Sequence, residues 1–207
     1  MSLERTRLEA DVLSAQNAEL EALVLRLNEA HAALEQRTTD LEALQEQFRE
    51  QADRDWLTGL HNRRYLARQL DLVTSAEEQD FSLAVIDLDH FKRINDTFGH
   101  EIGDQVLVRV AGLLLDVVRG SDVVARTGGE EFVLLMPASD ADAAKHCCER
   151  ALSAIRDFDW SSVAAGLAVT ASAGVARSGE AIGLDRVASL ADRRLYDAKR
   201  LGRDRVV

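Results

Sequence analysis

The sequence predicts an α/β domain, a mixed sheet flanked by helices, preceded by one long helix. Two observations carry this prediction. The first part of the chain has a heptad repeat and contains neither glycine nor proline before Gly59, whereas the remainder alternates helical and strand patterns. Within the remainder, two short apolar runs, 122–126 and 132–136, flank a turn that contains two glycines. A hairpin makes its two strands antiparallel, so a sheet that also contains crossovers is mixed.

The first part of the chain has the pattern of a coiled coil. Its helix formers carry an apolar residue every seventh position over five repeats: Leu13, Leu20, Leu27, Leu34, Leu41 and Phe48. The second seam is half polar in either register, with Gln16 and Arg37 in one and Asn17 and Thr38 in the other. We therefore expect a weak or switchable coil at 1–52, followed by a separate domain at 53–207.

The alternative for this part of the chain is a solvated amphipathic helix that packs on its own domain. A helix of roughly 45 residues is about 70 Å long. A domain of about 150 residues is too small to cover that length, which favours a partner chain.

Composition narrows the possible partners. The 207 residues include 25 Lys and Arg against 36 Asp and Glu, which gives a net charge of −11. That charge disfavours binding to nucleic acid, and an anionic ligand then requires local cations or a metal. The adjacent Cys147 and Cys148 have no disulfide or metal-ligand spacing. With no secretory signal and no membrane-spanning run, we expect a cytoplasmic protein without direct membrane contact.

The second part of the chain reads as an ordered series of elements. A turn at Gly59 precedes a helix that starts near Asn62, and Pro137 closes the hairpin. The residues at 163–176 fit either two strands or one bent strand. The other predicted elements are a buried strand at 81–91 and helices at 101–118, 140–156 and 184–201.

Acidic residues gather at predicted strand ends. Asp87 and Asp89 end the most apolar strand on one face, with Leu88 opposite, and Glu130 and Glu131 begin a hairpin strand. If the two strands are neighbours, Asp87 meets the Gly-Gly-Glu-Glu turn in space, and such converging carboxylates form a Mg²⁺ site suited to phosphates. Glycines at 128 and 129 would allow positive φ and a close approach of ligand. The alternative is an ordinary hairpin tip, which also favours glycine.

Four stretches together resemble the GGDEF family, the diguanylate cyclases, over residues 53–207: "DWLTGLHNRR", "DLDHFKRINDTFGHEIGD", "RTGGEEF" and "ADRRLYDAKRLGRDRV". The third is the GGEEF variant of the family signature. The resemblance implies a five-stranded mixed sheet similar to nucleotide cyclases and polymerase palms. It also implies condensation of two GTP into cyclic di-GMP, with release of two pyrophosphates, between two antiparallel subunits.

The resemblance also implies a set of site residues. Two Mg²⁺ or Mn²⁺ ions per half-site would be held by Asp87, Glu130 and the Leu88 carbonyl. Glu131 would either bind metal or help to deprotonate the 3′-hydroxyl. Asn95 and Asp104 would read guanine. The remaining implied GTP contacts are Phe91, Lys92, Gly128, Gly129, Lys199 and Arg203, of which Lys92 is also placed with Glu130 and Glu131 among the catalytic groups.

The stretch "RGSD" resembles the family's inhibitory product site, formed by Arg119 and Asp122 with Arg150 from a later helix. Taken alone, an Arg and an Asp three residues apart usually form a local ion pair. "LTGLHNRR", which includes His61 to Arg63, is expected to fix the linker helix on the domain. His90 and His100 are expected to be structural.

The resemblance further implies a homodimer joined by the coiled coil and a sensory domain outside this chain. A competing hypothesis is a catalytically poor module that acts as a cyclic di-GMP or GTP receptor. The presence of every signature carboxylate and base reader argues against it. A coiled-coil scaffold with an inert α/β cap would leave the motifs unexplained.

Overall fold

The computed structural model describes residues 2–75, 80–180 and 183–207. The chain divides into two compact units, one that ends at Ala52 and one that comprises Asp53–Val207.

The first unit is a single helix, α1, which comprises Ser2–Ala52. Continuous helix is expected where glycine and proline are absent and Leu, Ala, Glu, Gln and Arg predominate. The apolar side chains of the heptad series are exposed in the single chain wherever they are described: Leu20, Leu27, Leu34, Leu41 and Phe48. Of the helices within the described parts of the chain, none is both long enough and apolar enough to cross a membrane.

The second unit contains five strands and five α-helices among its described residues. The strands are β1 (His61–Asn62), β2 (Phe81–Leu88), β3 (Val123–Gly128), β4 (Glu131–Pro137) and β5 (Ala171–Arg177). The helices are α2 (Arg63–Ser75), α3 (Phe91–Phe98), α4 (His100–Val117), α5 (Ala141–Asp157) and α6 (Leu184–Arg200).

Three local features differ from the expectations. Helix α3 was not predicted, and it is separated from α4 by Gly99, whose φ of 88° ends the first helix. At 163–176 the structure has one strand, β5, preceded by a turn in which Gly166 has a φ of 79°. The short strand β1 was also not predicted.

The five strands form one mixed sheet in the order β1-β3-β4-β2-β5. Strand β1 runs parallel to β3, and every other neighbouring pair is antiparallel. The predicted hairpin is β3–β4, with Ala125 opposite Val133 and a shift in register between Arg126 and Gly128. The predicted fold, a mixed five-stranded sheet flanked by helices, is confirmed.

Alternation along the strands divides the core into two layers. Ile86, Leu88 and Phe132 lie on one face of the sheet, in a cluster with buried residues of α3, α4 and α5. Val85 and Val133 lie on the other face with buried residues of α2 and α6. Asp87 follows the same alternation, so it lies on the α2 and α6 face at the end of β2.

Candidate active site

The end of strand β2 lies beside the glycine-containing turn of the hairpin. Strands β2 and β4 are antiparallel neighbours, with Asp87 opposite Glu131. The Leu88 backbone N–H donates to the Glu130 carbonyl at 3.3 Å. The acidic end of β2 and the two acidic residues after the glycines therefore share one edge of the sheet.

The carboxylates at this edge are only partly compensated by positive charge. The Lys199 Nζ of α6 lies 2.8 Å from the Asp87 Oδ1. Burial raises the pKa of Glu130, the nearby Asp87 and Glu131 carboxylates raise it further, and Lys199 opposes them. A raised pKa shows that the ionised form of Glu130 lacks enough stabilising partners, so a cation would fit here.

The residues present suit a hard divalent ion. Within residues 2–75, 80–180 and 183–207, no group of three or more His, Cys, Asp or Glu side chains is arranged to hold a metal. Mg²⁺ usually takes only one or two protein carboxylates and completes its shell with water and substrate phosphates. Asp87 and Glu130 together meet that requirement.

Glu131 has different surroundings from Glu130. Its side chain is exposed and lines a groove of about 300 Å³ on the α2 and α6 face, with Arg63 and Thr127 in the same lining. Of the two glycines, only Gly129 has a positive φ, 25°. The expectation of positive φ at Gly128 was wrong, because Gly128 is the last residue of β3, paired with Glu131, and the turn consists of Gly129 and Glu130.

Arg126 stabilises the glycine-containing turn through hydrogen bonds from its side chain. Its Nε and Nη2 donate to the Gly129 carbonyl at 2.9 and 2.7 Å, and its Nη1 donates to the Asp55 Oδ1 at 2.9 Å. The Arg126 and Asp55 side chains are only 12% and 16% exposed. Burial acts to raise the pKa of Asp55, but hydrogen bonds from Thr58 and Arg126 hold it below its ordinary value. No sequence pattern predicts this contact between Arg126 and Asp55, which lie 71 positions apart.

Asp89 does not join the carboxylates at the turn. It is 5% exposed, and it accepts hydrogen bonds from the hydroxyls of Thr170 and Ser172, both at 2.8 Å, and from the Asp204 backbone N–H at 3.2 Å. Asp89 is thus occupied by these partners, and Asp87 is the residue of β2 that meets the turn. Asp89 instead ties the segment after α6 to the end of β2.

That segment carries Arg203 in a constrained backbone. Arg203 and Asp204 have φ values of 64° and 49°, a backbone region that residues other than glycine rarely adopt. Two hydrogen bonds hold the Asp204 carboxylate, from Arg156 Nε at 2.6 Å and Nη2 at 2.7 Å. Asp204 is therefore held through its backbone N–H, by Asp89, and through its carboxylate, by Arg156. These contacts also restrain the backbone of the preceding residue, Arg203.

The predicted guanine readers lie on adjacent helices. Asn95 is on α3, and Asp104 is on α4, where it is exposed and lines a groove of about 470 Å³ together with Leu57 and Val108. Lys92 is exposed on the first turn of α3. The Phe91 ring is buried in the core, so only the main chain of this residue is available to a ligand.

The predicted inhibitory residues lie together at the other end of α4. The Asp122 Oδ2 accepts from the Arg119 backbone N–H at 2.9 Å, and the Arg150 Nη2 of α5 donates to the Val117 carbonyl at 3.1 Å. Burial raises the pKa of the Cys147 thiol, and the charges of Arg150, Asp122 and Arg119 all act on it as well. Both Arg119 and Arg150 are exposed.

Comparisons with known proteins agree with this geometry. The family described as "Diguanylate cyclase, GGDEF domain" matches residues 52–205. Diguanylate cyclase DgcP of Pseudomonas aeruginosa is 40% identical over 207 residues, which cover 98% of this chain and 30% of DgcP. The response regulator PleD of Caulobacter vibrioides is 43% identical over 160 residues, 74% of this chain and 35% of PleD. The chain thus spans about a third of the length of these relatives.

A solved structure gives the same result for the fold. The coiled coil and GGDEF domain of DgcB from Caulobacter crescentus, in complex with c-di-GMP, has a TM-score of 0.74 and 34% identity. The similarity covers 86% of this chain and 97% of that one.

Proposed function

The chain belongs to the GGDEF family of diguanylate cyclases, and from that membership we propose that it condenses two GTP molecules into cyclic di-GMP and two pyrophosphates. The observation that carries the proposal is the meeting of Asp87 with the Gly-Gly-Glu-Glu turn on a shared sheet edge, beside Lys199.

Asp87, Glu130 and the Leu88 carbonyl would hold Mg²⁺ or Mn²⁺, with two ions in each half-site. When bound, such ions neutralise phosphate charge and make a hydroxyl a better nucleophile at neutral pH. The raised pKa of Glu130 supports its place in this set, because a carboxylate short of positive partners gains most from a divalent cation. The exposed Glu131 is then available to accept the proton of the 3′-hydroxyl.

Three cations offset the negative charge of the substrate. Lys92, Lys199 and Arg203 would contact the phosphates of GTP. Lys199 already lies 2.8 Å from Asp87, so a positive charge stands at the carboxylate cluster itself. The fixed backbone of Arg203 limits the positions that its guanidinium can take, and it is therefore suited to a planar, two-point contact with phosphate. The Phe91 main chain and the glycines at 128 and 129 allow a close approach of the nucleotide.

Asp104 and Asn95 would select guanine. A carboxylate such as that of Asp104 accepts hydrogen bonds from N1–H and the 2-amino group of guanine, and adenine has neither donor. A wrong base would leave buried polar groups without partners, and this is the strongest form of discrimination available to such a site.

One domain holds one GTP, so two domains must face each other antiparallel for the 3′-hydroxyl of one nucleotide to reach the α-phosphate of the other. Proximity and orientation then supply much of the rate.

We assign residues 1–52 to dimerisation and signal transmission and residues 53–207 to catalysis. The exposed heptad series of α1 supports a coiled-coil dimer, which would raise the effective concentration of the two domains. A sensory domain in the parent protein would act through this helix.

Feedback inhibition is part of the proposal. Arg119, Asp122 and Arg150 lie together, away from the carboxylates, and the two exposed guanidiniums suit bidentate contacts to guanine. Cyclic di-GMP would bind there and stop turnover.

The test is direct. The purified chain is incubated with GTP and Mg²⁺, and cyclic di-GMP and pyrophosphate are measured by chromatography and a coupled assay. Asp87→Asn, which keeps the shape of the side chain and removes its charge, is the matched control. We expect two pyrophosphates for each cyclic di-GMP from the parent chain and neither product from the variant. Binding of GTP or cyclic di-GMP without turnover would overturn the proposal in favour of a receptor.

A further inference from the structure

Gly103 lies on the side of α4 that faces Asn95 and Phe91 of α3. It is a buried residue of α4, and it immediately precedes Asp104. A Cβ placed on Gly103 would lie 1.8 Å from the Asn95 Oδ1 and 3.0 Å from the Asn95 Cγ. The carboxamide of Asn95 therefore occupies the volume that any other residue at 103 would fill with its own side chain.

The oxygen of that carboxamide is inaccessible to solvent in this position. The Asn95 Oδ1 is buried and has no hydrogen-bond partner among the residues that the structure describes. A buried acceptor without a donor carries a free-energy penalty, and such groups are rare enough in folded proteins to require an explanation. Core packing alone does not explain it, since an apolar side chain at 95 would fill the space without the penalty.

We propose that Gly103 is a positioning residue for base recognition. Because Gly103 has no side chain, the Asn95 carboxamide oxygen can pack against its Cα, and this contact fixes the orientation of the carboxamide. With the oxygen held there, the amide end of the group is presented to the base beside Asp104. The inference rests on the proposed function, because it treats Asn95 and Asp104 as readers of guanine. It assigns to Gly103 a role in selectivity that follows from the space it leaves.

The contacts around Gly103 predict a particular response to substitution. Its own φ is not in the left-handed region, so alanine meets no backbone strain. The colliding group is the end of a flexible side chain, which can swing away at little cost to the fold. Alanine also favours helix over glycine. Gly103→Ala should therefore keep the protein folded while it displaces Asn95.

Gly112 is the matched control. It lies in the same helix, and a Cβ at that position meets nothing within 4 Å. Gly112→Ala makes the same chemical change with the same gain in helix propensity, but it leaves Asn95 in place.

The experiment measures KM and kcat for GTP and the melting temperature for five proteins: the parent chain, Gly103→Ala, Gly112→Ala, Asn95→Ala and the Asn95→Ala/Gly103→Ala double variant. We expect Gly103→Ala to raise KM about tenfold, the effect of one misplaced hydrogen bond to the base, with kcat and melting temperature little changed. Gly112→Ala should match the parent chain. In the Asn95→Ala background, Gly103→Ala should have no further effect, because the group that it displaces is gone.

Three results would overturn the inference. The first is a KM for Gly103→Ala within twofold of that for Gly112→Ala. The second is an equal rise in KM with and without the Asn95 carboxamide. The third is a clear fall in melting temperature, which would show that the added methyl group acts on the core, where the Phe91 Cζ lies 3.3 Å from it.

Failure of the proposed function is visible separately. If the parent chain makes no cyclic di-GMP, the same five proteins are compared by calorimetric binding of α,β-methylene-GTP, which cannot release pyrophosphate. The same pattern in Kd would support the role of Gly103 without turnover, and its absence would overturn it.

Discussion

Glu130 and Glu131 are neighbours in sequence, yet they occupy different environments. Glu130 is half-buried near Asp87 and Lys199, and Glu131 is exposed in the groove on the α2 and α6 face. The difference follows from the hairpin, in which β4 begins only at Glu131. It supports assigning metal binding to Glu130 and an auxiliary role to Glu131.

Glu130→Gln tests this assignment. We expect activity to fall by at least about a hundredfold, since a metal ligand is lost. Burial and Asp87 raise the pKa of Glu130, so its ionised form destabilises the fold at pH values above that raised pKa. The variant should therefore be more stable than the parent chain at neutral pH. The gain should fade as pH falls through the raised pKa towards 4.5, the ordinary value.

Melting temperatures across this pH range check the stability change, and Glu131→Gln serves as the control because its carboxylate is exposed. If Glu130→Gln and the parent chain are equally stable at neutral pH, the negative charge of Glu130 does not destabilise the fold, and this interpretation is wrong.

Arg119→Ala tests the inhibitory site. The concentration of cyclic di-GMP that halves the rate should rise about tenfold or more, because a bidentate contact to guanine is lost. The initial rate before product accumulates should stay the same. Arg193→Ala, an exposed change on α6, is the control. Unchanged inhibition in Arg119→Ala would show that product binds elsewhere.

At the scale of elements, the position of α6 on the sheet depends on one small residue of β5. A Cβ on Gly174 would lie 2.1 Å from the Ala191 carbonyl oxygen and 2.2 Å from the Leu195 backbone nitrogen. Helix α6 therefore packs backbone to backbone on β5. Because α6 carries Lys199, this close packing also sets the distance between Lys199 and Asp87.

Gly174→Ala should be severe. The added methyl group meets backbone atoms, which cannot swing aside as a side chain can, so α6 must move. We expect a loss of about 3 kcal/mol in the free energy of unfolding, measured by urea denaturation. Gly112→Ala, the substitution into open space, should cost nothing by the same measurement. A loss below 1 kcal/mol for Gly174→Ala would show that α6 can shift freely on the sheet.

At the scale of the whole molecule, α1 presents an apolar series that the single chain leaves exposed. Leu27 and Leu34 are 67% and 61% exposed, and they repeat at the heptad spacing. Exposed leucines at that spacing favour a second helix as the partner. The half-polar second seam limits the affinity, so assembly should depend on protein concentration.

Replacement of Leu27 and Leu34 by Gln should lower specific activity at nanomolar enzyme, on the order of tenfold, with recovery as the concentration rises. Leu25→Gln is the control, since Leu25 is equally exposed, at 61%, but lies outside the heptad series. Activity and mass by sedimentation are measured at each concentration. If the specific activity of the double variant at nanomolar enzyme is unchanged, dimerisation through α1 is not required for catalysis.

Features that depend on the local order of residues could be predicted from the sequence. Periodicity predicted the long first helix, the buried strand that carries Asp87, and the hairpin around the glycines, because each is set by neighbouring residues. The motif set predicted the family. Helix α3 was missed because its eight residues make only about two turns, and the predicted strand at 81–91 extends into it.

The contacts of each candidate residue depend on how distant segments of the chain pack together. Asp87 and Asp89 look equivalent in sequence, but one faces Lys199 and the other is enclosed by Thr170 and Ser172. Arg126 reaches Asp55 across 71 positions, and no local pattern records that pairing. The physical reason is common to these cases. Charge and hydrogen-bonding capacity belong to a residue type, whereas the partner that uses them is brought close only when distant segments pack.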